Sequence, residues 1–422
     1  MRSYAAKTEA MMRIGVLLAG LLLMTPALAA DGPALPWGPT PSAAAAYARA
    51  GAIAALGRKL FRDPALSASG RMACATCHDP AHGFVAPNAL PVQMGGPDLQ
   101  HPGVRAVPSL MYGQFTPVFT EHYAESEEEG DESVDQGPTG GRDWDGRVDR
   151  ARDQAGLPLL DKNEMANADR PAVVAAVARA AYAGEMRALY GAEIFADTAK
   201  AFAAITEALE FYQETPTEFS PFSSKFDAFL RGSARLTEQE ARGLALFNDP
   251  EKGNCARCHK SAVTPDGQAP LFTDFGYVAL GVPRNRAIPA NADPAYFDLG
   301  LCGPERRDLA DQVKYCGMFK APSLRNVALK QSFYHNGAFH SLRDAVAFYA
   351  GRDADPGAWY PTGPDGVVRK FDDLPRAFVA NVDMEPPFGG RRVLSDADVD
   401  DLVAFLRTLT DGYRAGQAVE PH

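Results

Sequence analysis

The apolar positions of this chain recur mostly at helical spacing. The closing run Val399, Leu402, Val403, Leu406 and Leu409 marks one face of an amphipathic helix. The span Pro171 to Tyr190 is alanine-rich, with apolar residues at the same period, and predicts a helix. Thr237-Glu238-Gln239-Glu240 is a capping box opening another helix. Ser341-Leu342-Arg343-Asp344 and Ser395-Asp396-Ala397-Asp398 resemble the same signal. Alternating strand patterns are few. The pattern predicts an all-α architecture. The 38 Gly and 33 Pro among 422 residues predict long ordered loops between the helices.

One apolar run, Ile14 to Met24, stands apart and is too short to span a bilayer. Lys7 and Arg13 precede it, Thr25-Pro26 breaks it, and Ala27-Leu28-Ala29 suits cleavage after a small residue. Residues 1–30 therefore read as an export signal cleaved near residue 29 or 30, leaving no membrane span in the mature chain. Export predicts a periplasmic protein, in a compartment where disulfides form. At 46% hydrophobic and 23% charged the chain is neither disordered nor a polytopic membrane protein. Its net charge of -11 argues against nucleic acid as a partner. The acidic tract Glu125, Glu127, Glu128, Glu129, Asp131 and Glu132 reads first as a solvated loop. The sharper reading is a docking patch for a basic electron-transfer protein.

The six cysteines fall into three pairs. Cys74-Ala75-Thr76-Cys77-His78 and Cys255-Ala256-Arg257-Cys258-His259 are both C-x-x-C-H, the attachment pattern of c-type haem. A random chain of this composition would hold about 0.002 such sites. The chemistry explains the spacing: two thiols on one turn add to the haem vinyl groups, and the next histidine faces the iron. A zinc site would not need a histidine after each pair. A redox dithiol would sit in a βαβ context, which is missing here. The sequence thus predicts two covalently bound haem c groups, with His78 and His259 as proximal iron ligands. Cys302 and Cys316 match neither pattern, and in an exported protein they read as a disulfide closing the loop Pro304 to Tyr315.

The chain also repeats itself. Gly57-Arg58-Lys59-Leu60-Phe61-Arg62-Asp63-Pro64 and Gly243-Leu244-Ala245-Leu246-Phe247-Asn248-Asp249-Pro250 are both G-x-x-L-F-x-D-P, each ahead of one haem motif. Proline disfavours helix just before itself, so a helix should end at each Asp-Pro. This predicts two cytochrome c-like haem domains from an internal duplication, spanning 31–220 and 221–422.

With these blocks in place the chain resembles the bacterial dihaem cytochrome c peroxidase family, and within it the MauG-like branch. Further blocks carry the resemblance: Pro108-Ser109-Leu110, Trp144-Asp145-Gly146-Arg147, Asn163-Glu164-Met165, Pro322-Ser323-Leu324-Arg325-Asn326-Val327 and Tyr334-His335-Asn336-Gly337. The acidic loop and the Cys302/Cys316 pair look like an MbnH-type subgroup. The resemblance implies a first haem whose open face reacts with hydrogen peroxide, and a six-coordinate second haem that stores or relays an oxidising equivalent.

Counting fourteen residues from His335 reaches Tyr349, where peroxidases proper carry methionine and MauG-like proteins carry tyrosine. The resemblance therefore implies Tyr349 as the second haem's distal ligand. A phenolate oxygen favours oxidised iron, whereas methionine sulfur favours reduced iron. At the first haem the family's proton-transferring glutamate falls on Asp153, one methylene shorter. The family's distal glutamine is not evident before Trp144, and Arg142 is the nearby polar residue. Tyr112 stands in for an absent inter-haem tryptophan. The resemblance also offers His101 as a resting ligand for the first haem and places His335 near the second. Family members often bind one calcium ion through backbone carbonyls, here around Lys330 and Ser332.

The expected function is a dihaem oxidoreductase acting on peroxide and drawing electrons from an external protein. With Tyr349 the donor is expected to be a protein aromatic side chain, as for MauG. The alternative donor is a small cytochrome, giving plain cytochrome c peroxidase activity. A rival of another class is a non-catalytic dihaem electron carrier.

Overall fold

The computed structural model describes residues 42–123 and 135–414. The export signal and the acidic tract lie outside the described residues. Eleven α-helices are described: α1 Ala43–Phe61, α2 Cys74–Cys77, α3 Ala151–Leu160, α4 Arg170–Arg179, α5 Ala183–Tyr190, α6 Thr198–Gln213, α7 Pro216–Phe219, α8 Lys225–Leu230, α9 Glu238–Asn248, α10 Leu342–Gly351 and α11 Asp396–Arg407. Strand is confined to two antiparallel pairs, β1 Met94–Gly95 with β2 His101–Pro102, and β3 Tyr277–Val278 with β4 Phe319–Lys320. The fold is thus mostly helical. The strands are two residues long, too short to leave a period in the sequence.

The helix punctuation follows local chemistry. α1 ends at Phe61 and α9 at Asn248, each just short of its Asp-Pro. Thr237 and Ser395 form full capping boxes with Glu240 and Asp398. At α10 only half the device forms: Ser341 accepts from the Asp344 N–H. The span Pro171 to Tyr190 is not one helix. The chain turns extended at Ala180, and the Tyr182 hydroxyl donates to the Asp63 carboxylate, dividing α4 from α5. A long-range hydrogen bond overrides the alanine-rich propensity there.

The described residues from Tyr47 to Arg414 form one compact unit. It holds two large separate cores. One runs from Ile53 to Phe219 and takes in α1, α3, α4 and α6. The other runs from Phe226 to Leu409 around α9, α10 and α11. Each contains aromatic rings meeting edge to face. Phe61 meets Tyr212 at 5.3 Å, and Phe247 meets Phe405 at 5.2 Å. Phe61 and Phe247 hold the same place in the eight-residue repeat. So do Gly57 and Gly243: a Cβ on Gly57 would strike the Ala208 carbonyl of α6, and one on Gly243 the Asp401 carbonyl of α11. The helix before each haem motif thus crosses its partner at backbone contact. Cys302 and Cys316, themselves buried, are joined in a disulfide that closes a largely exposed loop.

Gly243→Ala should cost about 1–3 kcal/mol, because the obstructing atom is backbone and cannot rotate away. The check is a lower denaturant midpoint at unchanged slope. A variant as stable as the parent would mean that α9 and α11 can part freely.

Candidate functional site

The two C-x-x-C-H segments occupy matched cradles. The His78 N–H reaches back to the Cys74 carbonyl at 2.9 Å, and the His259 N–H to the Cys255 carbonyl at 2.8 Å. The His78 ring Nδ1 lies 3.1 Å from the Phe84 carbonyl, and the His259 Nδ1 lies 2.9 Å from that of Phe272. The carbonyls of Pro108 and Pro322 back the same two rings. A carbonyl only accepts, so Nδ1 carries the proton and Nε2 keeps its lone pair free. Burial lowers both imidazoles, His78 to about 4, so they stay neutral and fit to ligate a metal.

The supports behind the rings match as well. Phe84 and Phe272 both adopt left-handed backbone, each at φ 55°. Ser109 Oγ donates to the Gly83 carbonyl at 3.0 Å and accepts from the Met111 N–H at 3.0 Å. Ser323 Oγ does the same with Leu271 at 2.6 Å and Arg325 at 3.2 Å. Tyr112 and Asn326 then repeat the left-handed turn, at φ 61° and 62°. Left-handed conformations at non-glycine residues cost about 1–3 kcal/mol each and persist only where the surroundings impose them.

Cys74, Cys77, Cys255 and Cys258 form no disulfide. Burial pushes Cys74, Cys77 and Cys255 up to about 12 and Cys258 up to about 11. A redox-active dithiol needs the opposite shift. The first pair packs against the N-terminal core.

Among the described residues one chamber is lined from both halves, although Cys74, Cys77 and His78 are not in its wall. Its wall includes Cys255, Cys258, His259 and Tyr349 from the second site, and Pro108, Tyr112, Arg142 and Gln154 from the first half. Tyr349 lies on α10, stacked on Phe388 at 5.3 Å, with Cys255 and Cys258 close enough to act on its phenol. Asp153 sits exposed in the first turn of α3, while its neighbour Gln154 lines the chamber. His335 lines the chamber and stacks on Phe319 at 3.5 Å. His101 lies on β2, 3.7 Å from Asp98, and is absent from the chamber wall.

The structure adds residues that the sequence did not single out. Asp143 lines the chamber, and burial raises its carboxyl. Its Oδ2 lies 3.2 Å from Arg147 Nε but makes no hydrogen bond. Lys320 and Lys330 are half-buried chamber residues, each donating to one backbone carbonyl, of Gly141 and Val107 respectively. Burial lowers both ammonium groups to about 8. The buried Arg142 Nε has no hydrogen-bond partner. Free cationic donors facing a chamber suit a ligand carrying carboxylates, as haem does. The residues therefore fit two c-type haems.

Residues 51–235 match the family model described as di-haem cytochrome c peroxidase. The methylamine utilization protein MauG of Paracoccus denitrificans is 38% identical over 85% of this chain and 89% of its own. The cytochrome c551 peroxidase of Nitrosomonas europaea is 26% identical over 70% of this chain and 71% of its own. The crystal structure of the diheme peroxidase BthA from Burkholderia thailandensis superposes with a TM-score of 0.74 at 42% identity, covering 85% of this chain and 86% of that one. With paired haem cradles beneath these likenesses, the chain belongs to the MauG and dihaem cytochrome c peroxidase family, the haem-dependent oxidoreductases acting on peroxide.

Proposed function

We propose that the protein takes up hydrogen peroxide at the first haem and draws the replacement electrons through a Tyr349-ligated second haem from a protein partner, by way of an aromatic side chain. The observation that carries this reading is Tyr349, a phenol in the chamber wall with His259 and both thiols of the second attachment motif. A methionine at that place would favour reduced iron and a simple relay; a phenol favours oxidised iron. The likeness to MauG supports the same reading, and the likeness to cytochrome c551 peroxidase supports the alternative of a small cytochrome as donor.

The bound haem supplies the iron at which peroxide is reduced by two electrons. The chain supplies the ligands, the proton handling and the enclosure. His78 would present Nε2 to the first iron, and Arg142 and Gln154 of the same half line the chamber. Moving a proton between the peroxide oxygens needs a carboxyl within hydrogen-bond reach. Asp153, the residue in the family register, is exposed; Asp143 is buried in the chamber wall with an oxygen free of hydrogen bonds. We assign the proton transfer to Asp143 and leave Asp153 as the alternative. The matched cradles support an origin by duplication, with the halves meeting near residue 220. The N-terminal pattern and the Cys302–Cys316 disulfide support export to the periplasm. Among the described residues no helix is long and apolar enough to cross a membrane.

Peroxide mixed with the diferric protein should shift the Soret band within the mixing time, whereas an inert spectrum would leave the electron-carrier reading. Tyr349→Phe should alter the second haem's spectrum alone; if neither haem changes, the ligand is another residue. Asp143→Asn should slow the peroxide-dependent shift by roughly 100-fold, in the range of a lost general acid–base. If Asp153→Asn causes that loss instead, the exposed carboxylate is the proton carrier.

A further inference from the structure

A short segment, residues 383–389, ties together two parts of the second haem site that lie far apart in sequence. On one side it is bound to the attachment motif. Asp383 pairs with Arg257, inside the motif, and the Pro386 carbonyl accepts from Asn254 Nδ2 at 2.9 Å, next to Cys255. On the other side it is bound to the end of α10, just past Tyr349. There Arg352, 0% exposed, donates from Nη2 to the Asp383 carbonyl at 2.6 Å and from Nη1 to the Leu280 carbonyl at 3.0 Å. Nη2 also lies 2.7 Å from Asp353 Oδ2, which accepts from the Gly389 N–H at 3.0 Å. The segment is thus fastened at its first and last residues. Phe388 lies between the fastenings. Its ring centre stands 3.5 Å from the Arg352 guanidinium carbon, and its ring stacks on that of Tyr349 at 5.3 Å and 22°. Asp383, Pro386, Pro387 and Phe388 line the chamber with Tyr349.

We propose that this strap confines small external ligands, peroxide included, to the first haem by clamping the Tyr349 phenol in place, with Phe388 and Arg352 as its positioning residues. The proposal rests on the reading of Tyr349 as the second iron's ligand. A phenol turns about two side-chain bonds, and each excursion from its ligating rotamer would open the iron. A competing ligand binds that open fraction alone, so its apparent affinity rises in proportion to it. Offset stacking on a fixed ring restricts the excursion. Phe388 is fixed because a planar guanidinium covers it while the N–H fork of the same group holds the strap. The fork is anchored in turn, since Asp353 also pairs with Lys370. Two haems of one chemistry would thereby respond differently to the same small oxidant.

The test uses the diferric dihaem protein with cyanide as the probe, following each haem by its own electron paramagnetic resonance signal. In the parent, cyanide should bind the first haem and leave the second closed. Phe388→Leu keeps the apolar fill but removes the stacked ring. It should raise the apparent cyanide affinity of the second haem at least tenfold and leave that of the first unchanged. Phe388→Tyr keeps a stacking ring and should close the second haem again. Arg352→Lys keeps the charge but loses the planar fork, and should behave as Phe388→Leu. Disturbing a buried ion pair is costly, so the two Phe388 variants decide the matter if Arg352→Lys does not fold. Tyr349→Phe sets the upper limit, with a second haem freely open to cyanide. Parent-like closure in Phe388→Leu or in folded Arg352→Lys, a Phe388→Tyr variant as open as Phe388→Leu, or equal binding at both haems of the parent would overturn the proposal. A second haem that stays closed in Tyr349→Phe would overturn the ligand reading instead.

Discussion

The histidine of each C-x-x-C-H motif is tied through Nδ1 to a backbone carbonyl, and much else in the molecule serves to keep that carbonyl in place. The carbonyls belong to Phe84 and Phe272, both in left-handed backbone. Such turns persist because the cores hold them: Phe84 stacks on Phe219 at 4.0 Å, and Phe272 meets Phe226 edge to face at 5.4 Å. Packing strain is thereby converted into ligand orientation. The tied proton sits on Nδ1, the free lone pair on Nε2, and burial keeps the ring neutral. Two rings prepared in this way are a constraint on chemistry as much as on fold.

The cradles are alike, but what surrounds them is not. After the Pro-Ser-Leu turn the first half places Tyr112 where the second places Asn326. These two side chains converge on one carboxylate, that of Asp411. Arg325, paired with Asp227, covers the phenol from the second half. Elsewhere Arg105 bridges Asp145 and Asp298 through bonds of 2.7 and 2.6 Å, binding the Trp144 to Arg147 turn to the second half. Charged groups buried in pairs seldom add much net stability, but losing one partner is costly. Such pairs therefore fix how the halves dock, and with it the geometry of the chamber between them.

Legibility in the sequence followed the range of the interactions. The haem motifs, the capping boxes at Thr237 and Ser395, and the helix ends before Asp63-Pro64 and Asp249-Pro250 are local, and each could be read from a few residues. The break between α4 and α5 could not, because it depends on Tyr182 reaching Asp63, 119 residues away. Asp143 was passed over for the same reason. Nothing adjacent to it in sequence distinguishes it from Asp145, yet Asp145 is bound by Arg105 while Asp143 faces the chamber. The chamber-facing amines of Lys320 and Lys330 are likewise visible only once the chain is folded around them.

By itself the sequence marked the candidates for covalent chemistry: two C-x-x-C-H motifs, each with its histidine, and one further cysteine pair, since these depend on spacing along a single turn or on compartment. It also carried the family register that singles out Tyr349. The tertiary structure alone decided which groups face the chamber and which carboxylate meets the Tyr112 phenol. That pairing joins residues 299 apart. A contact of that separation has no trace in local periodicity, because only the docking of two cores brings its partners within reach.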